Sequence, residues 1–88
     1  MVMVMLEKEK IVAEAESGEQ AYDLFPKLMP EVTLMDLNMP GMGGIETIIR
    51  IKNRYPNAKI IVLSMYEHGP FITQAMKAGA EGYLTKSS

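Results

Sequence analysis

Residues 32–44 constrain this chain more than any other stretch, because their character changes abruptly. Val-Thr-Leu-Met runs straight into Asp36, and Pro40, Gly41, Gly43 and Gly44 follow within eight residues. A short apolar run stopped by turn formers reads as a buried strand leading into a tight loop. Such a strand delivers one carboxylate to its C-terminal tip. In an open parallel α/β sheet, the crevice outside the carboxyl ends of the strands is where ligands bind and chemistry is placed. Asp36 is therefore the residue around which the remaining chain is read.

The flanking segments alternate in periodicity. Residues 11–15 (IVAEA) read as a strand with Val12, Glu14 and Glu16 on one face and Ile11, Ala13 and Ala15 on the other. Ser17 is a natural N-cap, with Gln20 three residues later, for a helix over 19–27. That helix carries Ala21, Leu24, Phe25 and Leu28 on one side, and Pro26 is expected to kink or shorten it. Residues 32–35 form the next strand. Residues 45–54 form a helix with a stripe of Ile45, Ile48, Ile49 and Ile51. Residues 59–64 (KIIVLS) are apolar on both faces, as expected of a buried parallel strand. A helix over 71–78, with Phe71, Ala75 and Ala78 inward, stops at Gly79, and a short strand over 83–85 follows. Strands alternating with helices through short links predict an α/β fold, its parallel sheet wound by right-handed crossovers. The first six residues, MVMVML, are too few for periodicity to separate a strand from the end of an apolar helix.

The bulk properties exclude several classes. With 88 residues there is room for one domain. A net charge of −2 without a basic run gives no nucleic-acid face. No cysteine is present, so there is no disulfide framework and no thiolate metal site. The longest apolar run is far shorter than a membrane span, and it lacks the basic start of a signal peptide. A cytoplasmic protein without membrane contact is expected. The nine methionines read as adaptable core filler.

Asp36, Ser64 and Lys86 each stand where a strand stops, and in a parallel sheet those tips share one edge. A carboxylate there can attack phosphorus as a nucleophile. An ammonium pairs with phosphoryl oxygens, and a hydroxyl hydrogen-bonds one of them. Each residue alone has a plainer reading as a cap, a backbone partner or a solvated charge. His68, in the loop after Ser64, reads as solvated.

These residues carry a family resemblance. Asp36-Leu-Asn-Met-Pro-Gly-Met-Gly-Gly-Ile, Ile-Val-Leu-Ser64 and Ala-Gly-Ala-Glu-Gly-Tyr83-Leu-Thr-Lys86 resemble the receiver domain of two-component response regulators. The wording is most similar to receivers linked to LuxR-type helix-turn-helix domains. The resemblance covers roughly residues 11–88. It implies a flavodoxin-like three-layer fold with a parallel sheet, and a phosphoacceptor module that takes phosphoryl groups from a histidine kinase to regulate transcription. It implies no enzyme activity beyond self-phosphorylation and slow self-dephosphorylation. On the matching positions, Asp36 is the implied phosphoacceptor and Asn38 supplies a backbone carbonyl to Mg²⁺ alongside Asp36. Ser64 is the hydroxyl that moves toward the phosphoryl group, Tyr83 the aromatic switch, and Lys86 the conserved-type lysine.

The chain also departs from the family pattern. Receivers open with a strand ending in an acidic pair, followed by a first helix. No acidic pair precedes Ile11 here, and residues 5–12 resemble the tail of that first helix entering the second strand. On this reading the chain is a single, incomplete receiver domain, without the first strand, its metal-binding acids and the last helix. Loss of the central strand would leave the strands over 11–15 and 32–35 with open edges. Such edges invite a homodimer or a swapped oligomer. A rival reading makes residues 1–6 a strand, with Glu7 or Glu9 as a stand-in acid. Four connecting residues are too few for a parallel crossover, so this strand would pair antiparallel. Ser87 stands where many receivers have proline, and a trans bond is expected before it. Two functions remain in view: a receiver whose Mg²⁺ binding and phosphorylation are impaired, and a non-signalling fragment that self-associates. A small-molecule phosphate or flavin binder is disfavoured by the three strand-tip residues. No contact with nucleic acid is expected from this chain itself.

Overall fold

The computed structural model describes residues 3–8, 10–36, 43–64 and 70–85. Two strands open the chain, β1 (Met3–Glu7) and β2 (Lys10–Ala15), followed by helix α1 (Gly18–Leu28). Then come β3 (Val32–Asp36), α2 (Gly44–Arg54), β4 (Ile60–Ser64), α3 (Pro70–Ala78) and β5 (Gly82–Thr85). From residue 10 onward, the elements expected from periodicity are all present within one residue of the expected ends.

The five strands form one sheet in the order β2-β1-β3-β4-β5. This is the flavodoxin-like 2-1-3-4-5 order. β3, β4 and β5 run parallel, with Met35 beside Val62 and Val62 beside Tyr83. β1 is the exception, running antiparallel to both β2 and β3. The helix-tail reading of the first residues is thereby overturned. Residues 3–7 form a strand, and that strand fills the central slot, so β2 and β3 do not face a gap. Two connecting residues allow a hairpin and nothing else. Val4 and Met5 win burial in the sheet rather than on a helix, and both are inaccessible.

β2 departs from strict alternation. Met5 pairs with Ala13 and Leu6 with Ile11, so Val12 is an extra residue in a β-bulge. Ala13 and Ala15 face the core as expected, but the bulge turns Ile11 outward, leaving it 61% exposed. Each right-handed crossover from β2 to β3, β3 to β4 and β4 to β5 steps the same way along the sheet. All three helices therefore lie on one face, with α1 packed on α2 and α2 on α3. Beneath them, Met35, Ile60 and Val62 are sealed, while Leu34, Ile61 and Leu63 on the other face keep partial access. Of the three layers of the fold, the described residues build two.

Local signals hold the helices. The Ser17 side chain accepts from the Gln20 N–H at 3.2 Å, and the Gln20 side chain accepts from the Glu16 N–H at 2.7 Å. α1 continues through Pro26 and ends at Met29, which takes the left-handed conformation (φ 43°) and donates to the Phe25 carbonyl. Phe25 packs on Tyr55 with ring centroids 5.1 Å apart, tying α1 to the end of α2. α2 buries Thr47, Ile48 and Ile51, whereas Ile49 points outward, so its inward face is rotated from the expected isoleucine stripe. In α3, Ala75 is buried and Ala78 half-buried, and Ile72 joins them. The Phe71 side chain lies outside the described residues. No helix of the described residues is long and apolar enough to cross a membrane.

Glu81 bridges the sheet to α2. One carboxylate oxygen accepts from Lys52 Nζ at 2.8 Å and the other from the Ile60 N–H at 2.6 Å, while Lys52 Nζ also donates to the Ala58 carbonyl. This aligns the starts of β4 and β5. Replacing Glu81 with alanine strands a buried N–H and is expected to cost about 1–3 kcal/mol, read from urea denaturation. Thr33 is the opposite case. Its hydroxyl is fully buried and has no hydrogen-bond partner. Thr33→Val keeps the shape, removes the orphan donor and should raise stability by roughly 1–2 kcal/mol in the same assay.

Candidate functional site

β3 and β4 end side by side. Asp36 is the last residue of β3 and pairs with Leu63, and Ser64 is the last residue of β4 and pairs with Thr85. One strand spacing and one residue of offset put the Asp36 and Ser64 backbones roughly 6 Å apart. Asp36 is 8% exposed, so its carboxylate sits at the rim of the core rather than in open solvent. Tyr83 lies two residues back on β5, opposite Val62 and 43% exposed on the free edge of the sheet. Parallel pairing therefore gathers Asp36, Ser64 and the end of β5 at one edge. Asn38, His68, Lys86 and the 86–87 peptide bond lie outside the described residues. Thr85 is a site-edge residue that sequence reasoning passed over; its one signal was its place just before Lys86 on an alternating strand.

Beyond Asp36 the chain re-enters regular structure at Gly43, whose φ of 76° favours glycine. The Gly43 carbonyl accepts from both the N–H and the hydroxyl of Thr47, at 3.1 and 2.6 Å. These bonds close the first turn of α2 below the site edge.

The direction of β1 decides what else stands at this edge. Met3 pairs with Met35, so the N-terminal end of β1 lies next to the tip of β3. Glu7 pairs with Lys10 at the opposite edge of the sheet. Five residues of strand separate its level from that of Asp36, roughly 16 Å. Glu7 is thereby excluded as the stand-in acid, and Glu9 lies outside the described residues.

A sheet in 2-1-3-4-5 order, parallel from β3 to β5, with a carboxylate and a hydroxyl at adjacent strand tips, defines a flavodoxin-like domain of the signal-receiver class. The chain belongs to the response regulator receiver domain family, which matches it over residues 1–88. It is 40% identical over 85 residues to the transcriptional regulatory protein DegU of Brevibacillus brevis, covering 97% of this chain and 36% of that protein. It is 42% identical over 76 residues to the nitrate/nitrite response regulator protein NarL of Escherichia coli (strain K12), covering 86% of this chain and 35% of that one. Among solved structures, a LuxR-family two-component response regulator from Aurantimonas sp. SI85-9A1 superposes with a TM-score of 0.84 at 41% identity, covering 89% of this chain and 56% of that one. The chain thus spans little more than a third of these curated relatives.

Receiver domains typically use Mg²⁺, a hard cation that wants near-octahedral oxygen ligands, one or two of them carboxylates. Among the described residues, no group of three or more His, Cys, Asp or Glu side chains is placed to hold a metal ion. At this edge β1 presents a methionine end where a parallel strand would present its C-terminal tip. The acids of the described residues do not make a two-acid Mg²⁺ site at this edge. Calorimetric titration with MgCl₂ should show no saturable heat in the millimolar range. A one-site isotherm that disappears in Asp36→Asn would overturn this.

Proposed function

We propose that this chain is a phosphoacceptor receiver module of a two-component phosphorelay, serving a transcriptional regulator, in which phosphoryl acceptance is weakened. In the transfer, an Asp36 carboxylate oxygen attacks the phosphorus of a kinase phosphohistidine. The P–N bond breaks, the imidazole leaves, and an acyl phosphate forms on Asp36. Ser64 then donates a hydrogen bond to a phosphoryl oxygen, and the Lys86 ammonium balances its charge. Tyr83, on the sheet edge, changes rotamer with Ser64 and reports the phosphorylated state. The partner is a cytoplasmic histidine kinase, and this chain itself makes no contact with nucleic acid.

The observation that carries the weakening is the reversed direction of β1. Among the described residues it brings no acid of β1 beside Asp36 to help hold Mg²⁺ at the transferring group, and electrostatic stabilisation by metal and positive charge is the main catalytic resource in phosphoryl transfer. A second reading, a self-associating fragment without signalling, is favoured by the same strand, since an interior strand tied on by a two-residue link is an exchangeable element.

Incubation with acetyl phosphate and Mg²⁺, followed by intact-mass measurement, tests the proposal. We expect a one-phosphoryl mass shift in a minor fraction of chains, lost in Asp36→Asn. Stoichiometric modification would overturn the weakening, and a shift retained in Asp36→Asn would overturn the assignment of Asp36. No shift at any time favours the second reading.

A further inference from the structure

Of the run Glu7-Lys8-Glu9-Lys10, the described residues Glu7, Lys8 and Lys10 serve neither the core nor the strand-tip site. The run forms the connection between β1 and β2, closed by the Glu7–Lys10 pair. Two-residue hairpin turns need a positive φ at one or both central residues and select Asn, Asp and Gly for that reason. Here Lys8 is forced to φ 52° with neither a glycine's freedom nor a short polar side chain. Its N–H is held by a side chain from outside the hairpin, Glu31 Oε1 at 3.0 Å. This is a tight hinge built from residues unsuited to it, and such hinges favour exchange.

The arm it carries is the central strand. Met3–Glu7 pairs with β2 on one side and β3 on the other, and places Val4 and Met5 in the interior. If the hinge straightens, residues 3–15 become one long strand. The register in which Glu7 meets Lys10 then continues across a two-fold axis, setting Lys8 of one copy against Glu9 of the other. An antiparallel Glu-Lys-Glu-Lys run is its own charge complement, with each position facing the opposite sign, and such cross-strand pairs are stabilising where like charges are not. Every β1 contact with β2 and β3 is regained from the second copy, while the left-handed lysine is released.

We propose that this chain forms a domain-swapped dimer with a second copy of itself. In it the β1 arm of each copy fills the slot between β2 and β3 of the other, with Lys8 as the hinge. The occupant of the slot is thus a second copy of residues 3–7, specified by a charge pattern that matches only in the antiparallel, two-fold arrangement. The proposal does not depend on the role of Asp36.

Val4 and Leu34 are direct partners across the β1–β3 ladder, and the chain has no cysteine of its own. Val4→Cys with Leu34→Cys, oxidised and run on a non-reducing gel, should give a covalently linked dimer. A disulfide closed within one chain would overturn the swap, even where the protein sediments as a dimer. Val4 is buried, so a second measurement uses exposed Lys8 alone. Sedimentation of the unaltered chain should show a monomer–dimer equilibrium. Lys8→Gly, which relaxes the turn, and Lys8→Glu, which opposes like charges at the two-fold, should each weaken the dimer by roughly tenfold or more with unchanged circular dichroism. A monomer at the highest soluble concentration, or a dimer indifferent to both substitutions, would overturn the proposal.

Discussion

The cross-strand pair between Glu7 and Lys10 governs more of this structure than its place at the end of the hairpin suggests. It closes a connection of two residues, and two residues can only reverse a chain. A strand entering the central slot parallel to its neighbours would need a crossover of about a dozen residues or more. The slot is therefore filled antiparallel. The sheet is completed, its core is sealed, and the edge that carries Asp36 receives the start of a strand rather than its tip. Fold and site follow from one short link, in opposite senses: the link completes the sheet and keeps Glu7, the acid of β1, away from Asp36.

The rest of the chain is built on the handedness of its crossovers. Three right-handed units stepping in one direction lay three helices over one face. The core is the space between that layer and the inward residues of β1, β3 and β4. Phe25 against Tyr55 joins the first two helices, and the Lys52–Glu81 bridge locks the second to the starts of β4 and β5. The bridge matters because Glu81 also accepts from a buried backbone N–H, which an exposed ion pair would not do. The opposite face carries Leu34, Ile61, Leu63 and Leu84, the last of them 53% exposed. A doubly wound sheet covers that face only when a crossover steps the other way, and the β1–β2 hairpin supplies no such step.

Much of the fold was legible because the signals were local. Ser17 caps α1 as its chemistry dictates, and Gly79 follows α3. Asp36 and Ser64 end their strands because the apolar runs before them do. Strand alternation failed at Val12, since a bulge is decided by how two strands meet, not by either one. The stripe on α2 was misassigned between Ile49 and Thr47: a threonine can go inward when its hydroxyl bonds a carbonyl of its own helix, as Thr47 does with Gly43. For the site, the tips of β3 and β4 came together as their parallel order required. Thr85 was missed because nothing in its identity marks it, only its pairing with Ser64.

The sequence by itself determined the alternation of elements, the parallel order from β3 to β5, and the chemistry offered at Asp36 and Ser64. Each of these rests on periodicity, capping or residue type within a few positions of the chain. Tertiary structure alone decided that residues 3–7 are a strand, that it takes the slot between β2 and β3, and that Glu7 lies at the edge away from Asp36; the short link had already restricted any such strand to the antiparallel direction. A six-residue apolar run carries no directional information. Its direction is chosen by the hydrogen-bonding slot between β2 and β3 and by the shortness of the link that reaches it.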